Sequence, residues 1–303
     1  MVDAVQQFFN VKDGLLANID AGSRTRLADK IHLVAVGEKT APCYLIVDRG
    51  EGQTPDKFPD TFLSLNRSNK LRIPFVQGKF NSGGTGVLQF CGQQNMQLIV
   101  SRRDPEATVE AEDTSRDLWG FTIVRRMRPS DGRRNSMYVY LAPGGNVPRF
   151  QADAVAVLPE DRRSISPRPY TVGLRYGTCV KLYGFRWKAK SIATTEARYE
   201  LERFLHSPCL PFRLTESRDY KAHYFSTTVS GVWASIGTGE EADDKVEPGF
   251  PAYADLNLQG IGQLPYRIAV FQSSVNPRHV PHGVFFTVNG QVHGSLPSDF
   301  ISR

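Results

Sequence analysis

Asp48 closes an apolar run, Tyr44–Val47, and is followed at once by Gly50 and Gly52 in "DRGEG". A carboxylate at a strand end with bare backbone beside it lies at the floor of a cleft. It can accept a hydrogen bond from an exocyclic amine, and the glycines let a flat ring lie against the chain. Thirty residues after Asp48, "GKFNSGGTG" places Gly78, Gly83, Gly84 and Gly86 within nine positions. Four glycines in a helix or strand would forfeit about 2–4 kcal/mol against alanine, so a loop that approaches a ligand closely is expected. A helix opening near Gly86 would turn its positive end to the same place, with Lys70 and Lys79 as charge partners for an anion. Either stretch alone could be an ordinary turn or a flexible loop. Neither a Walker A sequence nor a dinucleotide fingerprint is present.

Other candidate chemistry is thin. Cys43, Cys91, Cys179 and Cys209 are far apart and form no CxxC pair, so neither a disulfide framework nor a zinc site is expected. A reducing cytoplasm is the expected compartment. His279 and His282 form an H-x-x-H in a Pro-rich stretch without further ligands, which reads as a surface loop. The net charge of +6 and pI of about 9.1 permit a polyanionic partner. The densest basic run, "VRRMRPSDGRR" (Val124–Arg134), has the form of a hairpin with its tip at Ser130-Asp131-Gly132. It is either a solvated turn or a nucleic-acid or phosphate contact. No stretch approaches the roughly 18 unbroken apolar residues of a membrane span, and no membrane partner is expected.

The elements that must hold these groups follow from patterning. With 303 residues, 40% hydrophobic and 22% charged, the chain can form one large or two ordinary domains. A helix is expected within residues 3–16, with Val5, Phe8 and Phe9 on one face. Strands are expected at Ile31–Val36 and Tyr44–Val47, around a polar turn at Gly37–Thr40, and a short helix near Val87–Cys91. Further strands read at Gln97–Ser101, Gly120–Arg125, Met137–Leu141 and Thr178–Phe185, with Pro143–Pro169 as loop. "TTEARYELERFLHS" (Thr194–Ser207) reads as a helix capped by Thr194. The remainder is strand-rich, and "HGVFFTVNGQVHG" alternates around a hairpin turn at Asn289-Gly290. A boundary near residue 190 divides the chain into 1–190 and 191–303.

In this order, "DRGEG" (Asp48–Gly52), "SNK" (Ser68–Lys70), "GKFNSGGTG" (Gly78–Gly86) and Gly177-Thr178 at the head of a strand resemble the GHKL ATPases. That class contains gyrase B, MutL-type repair proteins, MORC proteins, the heat-shock chaperone and histidine kinases. The likeness covers about 180 residues. It implies an α+β fold, a two-layer α/β sandwich of Bergerat type with a mixed sheet covered by helices on one face. A smaller β-rich α/β transducer-like domain would follow. The resemblance implies that Asp48 holds the adenine amine, that Thr178 supports that contact, and that Ser68 to Gly86 forms a phosphate lid. Gly50, Gly52, Ser68, Lys70, Gly78, Lys79, Asn81, Gly83, Gly84, Thr85 and Gly86 would then surround ATP and its Mg2+.

The first helix of the family reads roughly E-x-x-x-N-x-x-D-A, of which "MVDAV" matches only Asp3-Ala4. The catalytic glutamate and the magnesium-binding asparagine are thus expected upstream of Met1, and the chain is expected to be a fragment at both ends. "HGVFFTVNGQV" (His282–Val292) is similar to a strand turn of the transducer module. Lys221 and Lys245 are both candidates for its phosphate-contacting lysine, and no motif selects one. The implied activity is an ATP-driven switch that works as an ATP-dependent homodimer. A nucleic-acid-associated role (repair, chromosome handling or phage defence) fits the basic balance, by analogy. The alternatives are a nucleotide-binding interaction module without turnover, a chaperone, or a sensor histidine kinase. For the last, His32, in an expected strand, is the sole histidine before Asp48.

Overall fold

A computed structural model of the chain describes residues 2–64, 82–108, 113–129, 134–160, 167–186, 191–220, 225–237, 240–276 and 280–296. The chain gathers into two compact units. One comprises Met1–Arg24, Tyr199–Pro211 and Ser230–Arg303; the other, here the sheet unit, comprises Thr25–Arg198 and Phe212–Val229.

In chain order the elements begin with α1 (Val2–Phe9), α2 (Ala21–Ala28), β1 (Ile31–Gly37) and β2 (Pro42–Asp48). The helical turn α3 (Ser82–Gly86) precedes β3 (Met96–Arg102), β4 (Trp119–Met127), β5 (Met137–Tyr140) and β6 (Arg149–Phe150). Next come β7 (Val155–Leu158), β8 (Val172–Leu174), β9 (Gly177–Leu182) and α4 (Arg198–Phe204). They are followed by β10 (Phe212–Glu216), β11 (Ser226–Val229), α5 (Val232–Ile236) and α6 (Glu240–Asp243). The last described elements are two hairpins: β12 (Ala252–Leu258) with β13 (Gly262–Ile268), and β14 (Val284–Val288) with β15 (Gln291–Leu296).

The fold is α+β with one large mixed sheet. Among the described residues that sheet has nine strands, in the order β11-β10-β1-β2-β9-β3-β4-β5, with β6 beside β4. β1 and β10 run parallel, while the pairs β1–β2, β2–β9, β9–β3 and β3–β4 are antiparallel. Side chains alternate across it. Leu33, Ala35, Tyr44, Ile99, Leu182 and Leu214 face one layer, where helical turns cover them through Phe58, Leu88, Ala193 and Ala197. Val34, Val36, Leu45, Val47, Val100 and Cys179 face the other, beneath Trp119 and the β7–β8 hairpin. The sheet is apolar on both faces because each carries its own cover.

Several elements differ from sequence expectation, each for a visible reason. The first helix stops at Phe9 because Asn10 (φ 52°) and Asp13 (φ 55°) take left-handed backbone, and two 3-10 turns, Lys12–Gly14 and Leu16–Asn18, replace the rest. Pro143–Pro169 is not wholly loop: β7 lies within it and buries Val157 and Leu158, too short a run to show a period. Thr194 does not cap its helix. A π turn, Ala193–Ala197, precedes α4, and the Ala193 N–H is taken by Glu216 Oε2 at 2.8 Å. The hairpin at Asn289-Gly290 forms with φ of 50° and 79°, as the Asn-Gly pair expects. Residues 130–133, the tip of the basic hairpin, lie outside the described residues, but its arms pair as β4 and β5 down to Met127 and Met137.

In the other unit, Val232, Ile236, Ala242 and Val246 form a small core with Trp233, Phe250 and Phe271 packed against it. Gly290 lies tight against Ser207: its carbonyl accepts the N–H of His206 and of Ser207, each at 3.0 Å.

Candidate functional site

The site grows from the edge of the sheet unit where β2 and β3 end and β9 begins. Asp48 is the last residue of β2 and pairs in register with Thr178 near the start of β9; Thr178 pairs onward with Ser101 of β3. Alternation along β2 places Asp48 on the face of Tyr44, the helix-covered one. A row of one carboxylate and two hydroxyls therefore crosses three adjacent strands on that face.

Hydrogen bonds hold the row still. Ser101 Oγ donates to Gly177 O at 2.9 Å, accepts the Gln53 N–H at 2.9 Å, and lies 3.1 Å from Thr178 Oγ1. The Asp48–Gly52 loop is stapled down further by the Arg103–Glu51 ion pair at 2.9 Å and by Asp104 N–H to Glu51 O at 2.7 Å. Asp48 Oδ1 accepts the Gly50 N–H at 2.9 Å. Burial pushes the Asp48 carboxyl up from its ordinary range, opposed by that one bond. Beside it on the same face lie Ile46, which is 39% exposed, and the half-buried Ile31 and Val180. The result is a desolvated acceptor next to an open apolar surface. Such a pair suits a flat ring bearing an amine donor.

The two glycines of the first loop have different tasks. Gly52 has φ +62°, and an added Cβ would fall 1.9 Å from Arg102 O. Its missing side chain is used by the neighbouring strand. Gly50 lies against the carboxylate instead, where a Cβ would stand 2.8 Å from Asp48 Oδ1. Gly177 (φ +108°) permits the same close crossing from the other side, since its Cβ would meet Asp48 O at 2.2 Å.

Part of the glycine-rich run forms a helical turn rather than the expected loop. It opens at Ser82 and not near Gly86, and it contains Gly83, Gly84, Thr85 and Gly86. A Cβ at any of the three glycines would meet nothing within 4 Å, so the turn is not packed. It is anchored by the 3-10 turn that follows, Val87–Phe90, whose Leu88 is fully buried on the face that carries Asp48. Ser68, Lys70, Gly78, Lys79 and Asn81 lie outside the described residues, as do Lys221 and His279. Asp3 is in the first turn of α1, in the other unit. Lys245 is engaged locally, donating to Ser235 O at 2.6 Å and Ile236 O at 3.3 Å.

Ser101 was not among the residues expected from sequence. Its signal is visible in retrospect: "MQLIVS" ends an apolar strand on a small hydroxyl, as "YLIVD" ends one on a carboxylate. Among the described residues no three His, Cys, Asp or Glu side chains gather as a metal site. No helix among them is long and apolar enough to cross a membrane. No protein-family model matches the chain, and no curated protein matches it.

Proposed function

We propose that the sheet unit binds ATP as a GHKL-type domain of Bergerat architecture, and that the chain works as an ATP-driven conformational switch. The observation that carries this reading is the placement of Asp48 beside Thr178 on the helix-covered face, desolvated and next to an open apolar surface. Asp48 accepts a hydrogen bond from the exocyclic amine of adenine. Thr178 and Ser101 hold the carboxylate edge of the site, and Ile31, Ile46 and Val180 lie against the ring. The turn at Ser82–Gly86 is the described part of the proposed phosphate lid, supported by the anchoring of Leu88 on the face that carries Asp48.

The described residues fit the base-binding end of this ligand. Among the described residues no three His, Cys, Asp or Glu side chains gather as a site that would hold Mg2+ by itself. Bound Mg2+ would offset charge on the phosphates; this chain's own part is to bind and orient the purine. ATP binding would favour a closed, paired state over an open one, and the switch is limited by the difference in affinity between the two. The basic balance favours a nucleic-acid-associated role.

Equilibrium titration with ATP, ADP and GTP tests the reading. A carboxylate acceptor favours the adenine amine over the guanine carbonyl, and a charged hydrogen bond is worth about 1.5–3 kcal/mol. ATP should therefore bind at least about tenfold tighter than GTP. Equal affinities would remove Asp48 from the base site. A phosphate-release assay then separates an ATPase from a module that binds without turnover.

A further inference from the structure

The face of the sheet away from Asp48 carries a cleft of about 330 Å3 between β1, β10 and the β7–β8 hairpin. Its polar wall is formed by Asp29, His32, Arg49, Arg213, Thr215 and Ser226, and its apolar side by Leu158 and Val172. Register places these residues opposite the nucleotide face: His32 pairs with Val47 and with Arg213, and Thr215 with Ser226. The size lies at the lower end of the range for small-molecule sites.

Among the described residues, two groups of the cleft are left without partners by its hydrogen bonds. Arg213 is satisfied: Nε and Nη2 donate to Asp29 Oδ1 at 3.2 and 2.8 Å, Nη2 to Thr25 O at 2.8 Å, and Nη1 to Thr228 Oγ1 at 2.9 Å. Glu160, at the rim, is held by Arg168 at 2.6 Å. Arg49 has no ion-pair partner among the described residues, although its backbone N–H is fixed to Lys30 O. His32 Nε2 lies 3.1 Å from Asp29 O; a carbonyl only accepts, so Nε2 carries the proton. His32 Nδ1 is then an acceptor, buried and without a donor. Burial, with Arg49 and Arg213 nearby, lowers the His32 pKa against the opposing pull of Asp29, which keeps that lone pair free at neutral pH. The cleft therefore offers one unmatched cation, one unmatched buried acceptor and two hydroxyls.

We propose that this cleft binds a small polyhydroxylated anion, a sugar phosphate or a sugar acid. Its anionic group meets Arg49, one hydroxyl donates to His32 Nδ1, and further hydroxyls meet Thr215 and Ser226. An apolar anion leaves the imidazole unmatched, and a neutral sugar leaves the guanidinium unmatched. The site is independent of the purine site, since it uses neither Asp48 nor its face.

Calorimetric titration of the full chain with ribose 5-phosphate, ribonate, inorganic phosphate and ribose tests this. Saturable binding of ribose 5-phosphate or ribonate is expected, tighter than phosphate or ribose alone, and the better of the two identifies the anionic group. Arg49→Met should weaken it by about tenfold or more. His32→Phe, which keeps a ring but removes the acceptor, should bring its affinity down towards that of the bare anion. Arg49 is exposed, so its variant should keep the parent melting temperature and remain a usable test even if His32→Phe does not fold. Asp48→Asn, whatever it does to ATP, should leave ribose 5-phosphate affinity as it was. Absence of saturable binding by either polyhydroxylated anion, binding no tighter than inorganic phosphate, or indifference to Arg49→Met overturns the proposal.

Discussion

Asp48 is the direct cross-strand partner of Thr178, although 130 residues separate them in the chain. The pairing puts the carboxylate beside a hydroxyl on a sheet face, at the point where the covering layer opens. Nothing local to either residue produces this arrangement. It requires β9 to insert between β2 and β3, which are consecutive strands along the chain but are not hydrogen-bonded to each other.

The first prediction concerns Asp48 itself. Its folded pKa lies above its ordinary value of 3.8, so the folded state holds its proton more tightly than the unfolded state. Stability from this group is present at low pH and is lost as pH rises from 3.8 through the folded pKa. Once ionised, the carboxylate is a burden on the unliganded fold. Asp48→Asn should therefore leave the melting temperature equal to the parent or higher, while removing the thermal shift produced by ATP. A variant that melts well below the parent would mean that Asp48 is a structural residue.

The two glycine loops should answer the same substitution with opposite signs. Gly52→Ala forces a Cβ to within 1.9 Å of Arg102 O at φ +62°, so a loss of about 1–3 kcal/mol is expected. Gly84→Ala meets open space within a helical turn and should be neutral or gain up to about 1 kcal/mol. Urea unfolding of both variants gives the comparison. A bulky residue at 84 should also weaken ATP more than adenosine, because the proposed lid contacts phosphates; equal losses would count against the lid.

Much of this was legible in the sequence, for reasons that particular residues show. β1 and β2 are apolar runs bounded by polar turns, and Asn289-Gly290 has one favourable hairpin geometry. The Asp48–Gly52 loop stands out because acid and glycines are contiguous. Long-range chemistry was not legible. The π turn before α4 depends on a carboxylate 23 residues ahead, and the cleft around His32 draws on residues from Asp29 to Ser226. Gly52 looked like a ligand-facing glycine and is occupied by the backbone of Arg102, which no local pattern records.

The pair Glu216–Arg218 is fully buried on both sides and bonded at 2.7 and 2.8 Å. Glu216 also takes the Ala193 N–H, and Arg218 donates to Ser191 O at 3.1 Å, so the pair fixes the entry to the π turn. Glu216→Ala leaves a buried guanidinium uncompensated and should cost about 3–5 kcal/mol. Replacing both by apolar residues, Glu216→Leu with Arg218→Met, should cost less than the single change. Denaturant midpoints of the two variants decide this, and a harsher double variant would mean that the bonds to Ala193 and Ser191 outweigh the charge.

His206 sets a pH limit on the other unit. Its ring packs edge-on against Phe285 with centroids 4.7 Å apart, and its Nε2 is buried without a partner. Burial lowers its pKa below 6.5, opposed by a hydrogen bond to the Arg203 backbone. Protonation would place a second N–H where nothing accepts it, so the folded state takes up the proton less readily than the unfolded one. Its contribution is fully present above 6.5 and is lost as pH falls from that value through the depressed folded pKa. His32 titrates in the same direction in the sheet unit, so wild-type stability reports both. The contrast must come from His206→Phe, which keeps an aromatic ring beside Phe285 and cannot be protonated. Thermal melts between pH 7.5 and 5 should show a shallower decline in the variant than in the parent, leaving the part due to His32. Parallel curves would show that His206 finds an acceptor on protonation and carries no pH-dependent stability.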